Sequence, residues 1–377
     1  MKDAELGISI DKPDHPAPAH PANGKGRITL KEIASIARVN ISTVSRAIND
    51  SPLIPRETKE MILAIADRMN YFPNSLARGL VSQKSETLGI ILPKIFFLQG
   101  PFFSQVLSGI EHVSVKNGYS ILIASATSRA MDRHFPFNLT RARRIDGMLI
   151  INENKKIQNL SALKKEGVPF VLVNRYVNDP KAPCVAPDDV LGGRLATEHL
   201  VGLGHRRIGV ITGSSRVSAT QGRLDGYRLA LEEAGIPFDS QLVQQGLFQQ
   251  GIETGSRGAE RLLAMDNRPT AIFAFSDELA MGVMQAARNR GLRIPEDLAV
   301  VGYDNVAYSA HLNPPLTTVA QNPYAIGSAA CKMLVDILAG TRPDPVNVLI
   351  PVRLVVRDSC GNRLRQAADL NRGVRAG

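Results

Sequence analysis

Apolar positions change their period along this chain, and the change divides it. Across residues 27–72 they recur every three or four residues: Leu30, Ile33, Ile36 and Ala37, then Val44, Ala47 and Ile48, then Met61, Ile62, Ile65, Ala66 and Met69. That spacing puts each set on one face of a helix and predicts three short amphipathic helices. The start signals agree with it. Thr29 with Glu32 three residues on has the pattern of a capping box, Asn40 can cap the second helix between the staple residues Val39 and Val44, and Pro55 suits the first turn of a third helix that stops before Tyr71 and Pro73. From Thr87 the pattern becomes continuous apolar runs separated by helical stretches: TLGIILP, YSILIAS, IDGMLII, PFVLVN, RIGVITG, LVQQG, AIFAFSD and LAVVGYD. Such runs predict parallel strands covered on both faces, and eight of them suit two similar lobes. The fold class expected is an all-α helix-turn-helix headpiece followed by a two-lobed, doubly wound α/β domain with parallel sheets.

Five segments follow from this reading. Residues 1–26, rich in Pro, Ala, His and Asp, form a lead-in expected to be disordered. Residues 27–72 form the helical headpiece, 73–86 a polar hinge, 87–360 the two-lobed domain and 361–377 a flexible basic tail. A hinge helix over residues 74–80 is too short to be stable alone, since isolated helices below about 12 residues are marginal in water. Gly79 adds a cost of about 1 kcal/mol relative to Ala.

Composition narrows the function. At 377 residues the chain exceeds one small core. Its apolar runs fall far short of the roughly 20 residues of a membrane span, and the first residues lack the apolar core of a secretory signal. Three scattered cysteines, Cys184, Cys331 and Cys360, fit neither a disulfide framework nor a zinc ribbon, and suit a reducing cytoplasm. A formal net charge of +10 favours polyanionic partners and is silent on fold. No nucleophile motif or acid–base pair is legible, so neither an enzyme nor a cofactor is expected. His199 and His205 have no cysteine or carboxylate cluster near them in sequence, so they belong to a helix and its C-terminal turn rather than to a metal site.

Two surfaces carry candidate chemistry. With Val44, Ala47 and Ile48 turned inward, the second helix leaves Ile41, Ser42, Ser45 and Arg46 outward. A helix of this kind fits the DNA major groove, where Arg can donate two hydrogen bonds to guanine and Ile can meet a thymine methyl. An ordinary solvated face on a three-helix bundle accounts for the same pattern. In open parallel sheets ligands bind beyond the carboxyl ends of the strands. There the chain places three polar pairs, Asn174 with Arg175, Ser276 with Asp277, and Asp304 with Asn305. Their paired hydrogen-bonding groups suit a small polyhydroxylated ligand, while helix capping accounts equally for Ser276, Asp277 and Asp304.

The strings TLKEIA at 29–34, STVSRAIN at 42–49 and YFPN at 71–74, in that order and spacing, resemble the LacI/GalR family of bacterial transcription regulators. The resemblance continues through GHRRIGVITG, GRLDGYRLAL, SDELAMG, IPEDLAVVGYDN and PPLTTVAQ, covering about residues 28–359. It implies base contacts from Ile41, Ser42 and Arg46, and phosphate contacts from Thr43, Ser45 and Asn74, with Thr29 at the same surface. It also implies a hinge in which Ala77, Arg78 and Leu80 enter the minor groove, Leu80 as the wedge. Effector contacts carried over by position fall on Arg223, Asn174, Ser276 and Asp304, with Phe102 or Phe103 lining the other wall. Arg175 and Asp277 join the set as neighbours at the strand ends.

The chain departs from the family pattern at Arg38, where Gly commonly sits, and at Asn40, where Ser is usual. Arg38 is therefore expected to take a turn without positive φ. Ser276 replaces the usual Asn and alters the hydrogen bonds offered to an effector. The implied protein is a cytoplasmic homodimer that represses carbohydrate uptake or catabolism genes at a near-palindromic operator under control of a sugar. A purine or a protein co-effector is the alternative, and a solute-binding protein or a sugar-processing enzyme are rival classes. The tail has too few apolar positions for heptads, so no tetramer zipper is expected.

Overall fold

The structure, a computed structural model, describes residues 28–71, 84–92, 100–125, 135–151, 160–177, 179, 182–215, 217–247 and 250–362. The chain divides into two units at Arg78–Gly79. The lead-in, the hinge positions Asn74, Ala77, Arg78 and Leu80, and the basic tail lie outside the described residues.

In the first unit α1 (Leu30–Ala37), α2 (Ile41–Ile48) and α3 (Arg56–Arg68) enclose a small core of Ile33, Ala34, Val44, Ala47, Ile62, Ile65 and Ala66. Val39 packs against this cluster beside Val44, as the staple predicts. Glu32 reaches back over the start of α1, its Oε2 accepting from the Thr29 backbone N–H at 2.7 Å and the Thr29 hydroxyl at 2.9 Å. Three expectations are corrected. Ile36 and Met61 lie on the outer side of their helices, 55 % and 43 % exposed, because the core of so small a bundle admits a narrower stripe than the sequence offers. Asn40 occupies the N-cap position of α2, but its side chain makes no capping hydrogen bond; its backbone carbonyl accepts from Thr43 and Val44. Arg38 does adopt positive φ, at 53°, with ψ 42°. The N–H groups of Arg38 and Val39 both turn back to the Ala34 carbonyl, and that closure requires a left-handed residue whatever its side chain.

The second unit holds two six-stranded sheets. One runs β11 (Asn347–Ile350), β5 (Cys184–Pro187), β4 (Phe170–Val173), β3 (Gly147–Ile151), β1 (Thr87–Leu92), β2 (Ser120–Ser125), all parallel. The other runs β12 (Arg353–Val355), β10 (Thr317–Ala320), β9 (Ala299–Asp304), β8 (Ala271–Ala274), β6 (Ile208–Thr212), β7 (Val243–Gln245), parallel except where β12 meets β10. The eight apolar runs of the sequence are all strands. The four others, β5, β10, β11 and β12, are short or rich in Thr and Asn. All four lie where the chain passes from one sheet to the other.

Helices cover these sheets in close pairs: α4 (Pro101–Lys116) with α11 (Pro323–Leu338), α7 (Asp189–Gly202) with α8 (Ser218–Glu233), and α9 (Gly251–Leu263) with α10 (Asp277–Asn289). Each pair meets glycine against backbone. A Cβ on Gly109 would stand 2.2 Å from the Tyr324 carbonyl oxygen, on Gly193 2.1 Å from that of Arg223, and on Gly255 2.1 Å from that of Leu279. Gly327, Gly226 and Gly282 answer from the partner helices. No larger residue fits there unless the helices separate. Two shorter helices, α5 (Phe135–Arg141) and α6 (Leu160–Lys165), complete the first lobe. No helix among the described residues is long and apolar enough to cross a membrane.

Candidate DNA-reading face and ligand cleft

Packing fixes which side of α2 is offered outward. Val44 and Ala47 are fully buried, while Ile41, Ser42 and Arg46 are exposed, Ile41 by 47 %. Thr43 and Ser45 are half-buried beside them. Thr29 is exposed with its hydroxyl on Glu32. Ile41, Ser42, Ser45 and Arg46 therefore share one helix surface, and α2 carries no acidic side chain to repel phosphate.

The cleft candidates sort less evenly. Arg223, on α8, is only 5 % exposed. Its Nε donates to Asp189 Oδ1 at 2.8 Å, its Nη1 donates to the Phe275 carbonyl, and its guanidinium carbon lies 3.6 Å over the Tyr303 ring. Asp189 also accepts from Tyr303 Oη at 3.2 Å. Close approach of α7 and α8 at Gly193 and Gly226 brings Asp189 to Arg223. Burial by itself would lower the Arg223 pKa, but the charge and hydrogen bond of Asp189 together with Tyr303 and Asp304 outweigh it and hold the guanidinium above its ordinary value. Asp304 ends β9 with φ 113° and accepts from Gln321 Nε2 at 2.6 Å. Burial pushes its carboxyl above the usual carboxylate range, while Arg223 pulls the other way and Asp277 adds to the rise.

Three buried oxygen atoms at the carboxyl-end rims of the sheets have no protein partner: Asn174 Oδ1 after β4, Thr220 Oγ1 in the first turn of α8, and Gln321 Oε1 after β10. Asn174 stands at φ 57°, its N–H on the Val185 carbonyl. An unpaired buried polar atom costs about 1–3 kcal/mol, so these atoms point to a partner from outside the chain. Gln321, Thr220 and Asp189 escape a reading of strand ends. Gln321 follows a strand the apolar pattern misses, and the other two sit on helices.

The remaining candidates have other partners. Ser276 caps α10, its Oγ accepting from Leu279 N–H at 3.1 Å. Asp277 is fully buried with both oxygens engaged, Oδ1 by Thr318 Oγ1 at 2.6 Å and Oδ2 by Val306 N–H at 2.9 Å. It fastens the loop after β9 and leaves no oxygen for a ligand. Arg175 is 4 % exposed, its charge close enough to Cys184 to act on the thiol. Phe103 belongs to the core of the first lobe, and Phe102, half-buried, meets it edge to face at 5.2 Å. His199 lies in α7 with Nε2 3.2 Å from Cys360 Sγ, and His205 follows it with Nδ1 2.9 Å from Thr270 Oγ1. The two imidazoles thus serve different partners.

Comparison with known proteins agrees with both halves. Residues 29–74 match the model for bacterial regulatory proteins of the lacI family, and residues 197–360 match a periplasmic binding protein-like domain. The ribose operon repressor of Haemophilus influenzae is 33 % identical over 331 residues, covering 88 % of this chain and 98 % of that one. The transcriptional repressor CytR of Escherichia coli K12 is 32 % identical over 331 residues, covering 88 % and 96 %. Among solved structures, the lac repressor dimer bound to operator and the anti-inducer ONPF superimposes with a TM-score of 0.78 at 27 % identity, covering 89 % of this chain and 99 % of that one. A CelR–cellobiose complex gives 0.68 at 30 %, covering 88 % and 100 %. These matches span nearly the whole length of the relatives, and the chain belongs to the lacI family of bacterial regulatory proteins.

Proposed function

We propose that this protein is a cytoplasmic homodimeric repressor that reads a near-palindromic operator through Ile41, Ser42 and Arg46 and is controlled by a neutral sugar bound at Arg223. Thr43, Ser45 and Asn74 serve phosphates, and Ala77, Arg78 and Leu80 serve the minor groove. The observation that carries the ligand class is the set of polar groups at the carboxyl ends of the strands in the two lobes. The Asn174 and Gln321 amide oxygens accept hydrogen bonds, the Thr220 hydroxyl and the Asp304 carboxyl both give and accept, and the guanidinium donates. A polyhydroxylated ring supplies both donors and acceptors to such a set. The solved relatives include a complex with cellobiose and a regulator from Enterococcus faecium with bound ribose.

The ligand set proposed is Arg223, Asp304, Asn174, Gln321 and Thr220, with Phe102 on the first-lobe side. Ser276 caps α10, and Asp277 holds the loop after β9. The test is a thermal-shift screen of the full chain against pentoses, hexoses, disaccharides and purine nucleosides, followed by DNA binding with the hit. A sugar at 100 times its Kd should add about 2.7 kcal/mol of stability. It should change operator affinity by about 5- to 150-fold, and both effects should be lost in Gln321→Ala. A purine hit, or a sugar hit indifferent to Gln321→Ala, would overturn the reading.

A further inference from the structure

A cavity of about 450 Å³ opens at the amino-terminal edge of the first sheet, the opposite end from the cleft. Its walls are the turns that lead into β1, β2, β3 and β4, among them Lys84, Tyr119, Arg141, Arg143, Asp146 and Glu166. The volume lies within the roughly 300–1,000 Å³ typical of small-molecule sites. Nothing in the proposed control by a sugar uses it.

The charges of this cavity are unevenly committed. Asp146 accepts from Ser85 N–H at 2.6 Å, Ser85 Oγ at 2.9 Å and Glu86 N–H at 2.9 Å. Glu166 is held by Arg141 Nη2 at 2.9 and 3.0 Å. The carbonyls that end α5 are closed by Arg143 N–H on Thr140 and Arg144 N–H on Leu139. Both carboxylates and the helix end are therefore already satisfied. Arg143, exposed and held in place by a left-handed backbone at φ 52°, directs a guanidinium that makes no bond among the described residues. Val168, Pro169 and Leu338 give the same cavity an apolar side.

We propose that this cavity is a second ligand site, distinct from the cleft, for a small organic phosphate. The phosphate is received by Arg143 with Arg141 beside it, and the carbon skeleton rests on Val168, Pro169 and Leu338. Arginine suits this task because its planar fork matches phosphate oxygens two at a time. The site borders Ser85 and Glu86, the residues that Asp146 fastens to the lobe just after the segment arriving from the DNA-binding unit. An occupant therefore bears on that fastening as well as on the lobe.

The test is calorimetric titration of the full chain, at ionic strength matched with sodium chloride, with inorganic phosphate, pyrophosphate, glycerol 3-phosphate and ribose 5-phosphate. At least one organic phosphate should bind saturably with a Kd below about 1 mM. Arg143→Glu should weaken it tenfold or more, Arg143→Lys should weaken it less, and Gln321→Ala in the cleft should leave it unchanged. Failure of every probe to bind, equal binding by Arg143→Glu, or loss of binding in Gln321→Ala would each overturn the proposal. The last outcome would assign the phosphate to the cleft.

Discussion

Replacing Asp189 by Asn removes one charge from a buried pair and keeps its shape, so the cost can be reasoned from the surroundings. The Arg223 and Asp189 side chains are 6 % and 13 % exposed, and their contact is 2.8 Å. Breaking a buried pair by deleting one partner costs about 3–5 kcal/mol, most of it the desolvated charge left behind. Two features reduce that figure. The Asn carbonyl still accepts from Arg223 Nε, and the Phe275 carbonyl still accepts from its Nη1. The Tyr303 ring face supplies a further weak attraction. The expected loss is therefore about 2–3 kcal/mol, or roughly 4–10 °C in the melting temperature of a domain this large. Scanning calorimetry on the full chain reads it. The comparison is with Arg223→Met, in which the guanidinium is already gone: there Asp189→Asn should cost at least about 1 kcal/mol less. The surface change Asp225→Asn should stay within about 0.5 kcal/mol. A loss below about 1 kcal/mol for Asp189→Asn, or equal losses in both backgrounds, would refute the claim that the pair is a buried, mutually dependent unit.

Three further outcomes are expected. Arg38→Gly should stabilise the headpiece by about 0.5–1 kcal/mol, since a left-handed residue with a Cβ costs about 1–2 kcal/mol and glycine returns part of that as chain entropy. Amide exchange in α1 to α3 of the full chain measures it, and unchanged protection would count against the strain argument. Arg46→Ala should erase base preference at one position of each half-site when sites are selected from randomised duplexes, a loss of about 1–3 kcal/mol there. A uniform drop across all sequences would instead mark Arg46 as a phosphate contact. For Asp304, the raised carboxyl keeps a proton in the fold where the unfolded chain, at 3.8, has lost it. That stability is fully present below 3.8 and disappears as pH rises through the raised value. Melting temperature should therefore fall as pH rises from about 4 to about 8 and flatten above that, and the fall should be shallower in Asp304→Asn. Parallel curves would remove Asp304 from the account.

The strands and helices that bury a continuous apolar face could be read from the sequence because periodicity reports burial directly. Ile90, Val173, Phe273 and Val301 are fully buried in strands their runs predict. What escaped depends on relations between distant segments. β11 adds to the first sheet from residue 347, though it follows the strands of the second, and no local pattern records that return. The left-handed turn at Arg38 is set by how α1 closes, and the residue there does not choose it. At the cleft, side-chain type gave a shortlist but not the partners each group takes. Asp277 and Arg223 are both buried and charged, yet one fastens a loop with both oxygens and the other holds its remaining donors at the strand ends. Only the partners, Thr318 and Val306 for one and Asp189 for the other, separate them.

The placement of the proposed ligand set also bears on how a bound sugar could be felt elsewhere. The chain passes between lobes at three points: after β5, after β10 and between β11 and β12. The first passage runs through Asp188, which caps α7 through Leu191 N–H at 2.9 Å and donates its own N–H to the Ile350 carbonyl at 3.0 Å, next to the third passage. The second runs through Gln321 and Asn322, and Asn322 caps α11 through Ala325 N–H at 3.0 Å. Within each lobe the helix pairs are locked glycine to backbone, so a change in the angle between lobes must be absorbed at these passages. Asp189, which positions Arg223, adjoins the first, and Gln321, which holds Asp304, belongs to the second. A ligand can shift an equilibrium only by the difference in its affinity for the two states. Contacts confined to one rigid lobe would be the same in both and would shift nothing. In the proposed set, Asn174 follows β4 of the first lobe while Arg223 and Asp304 belong to the second, so a sugar bridging them would make contacts that depend on the angle between the lobes, and that would give it leverage on their arrangement.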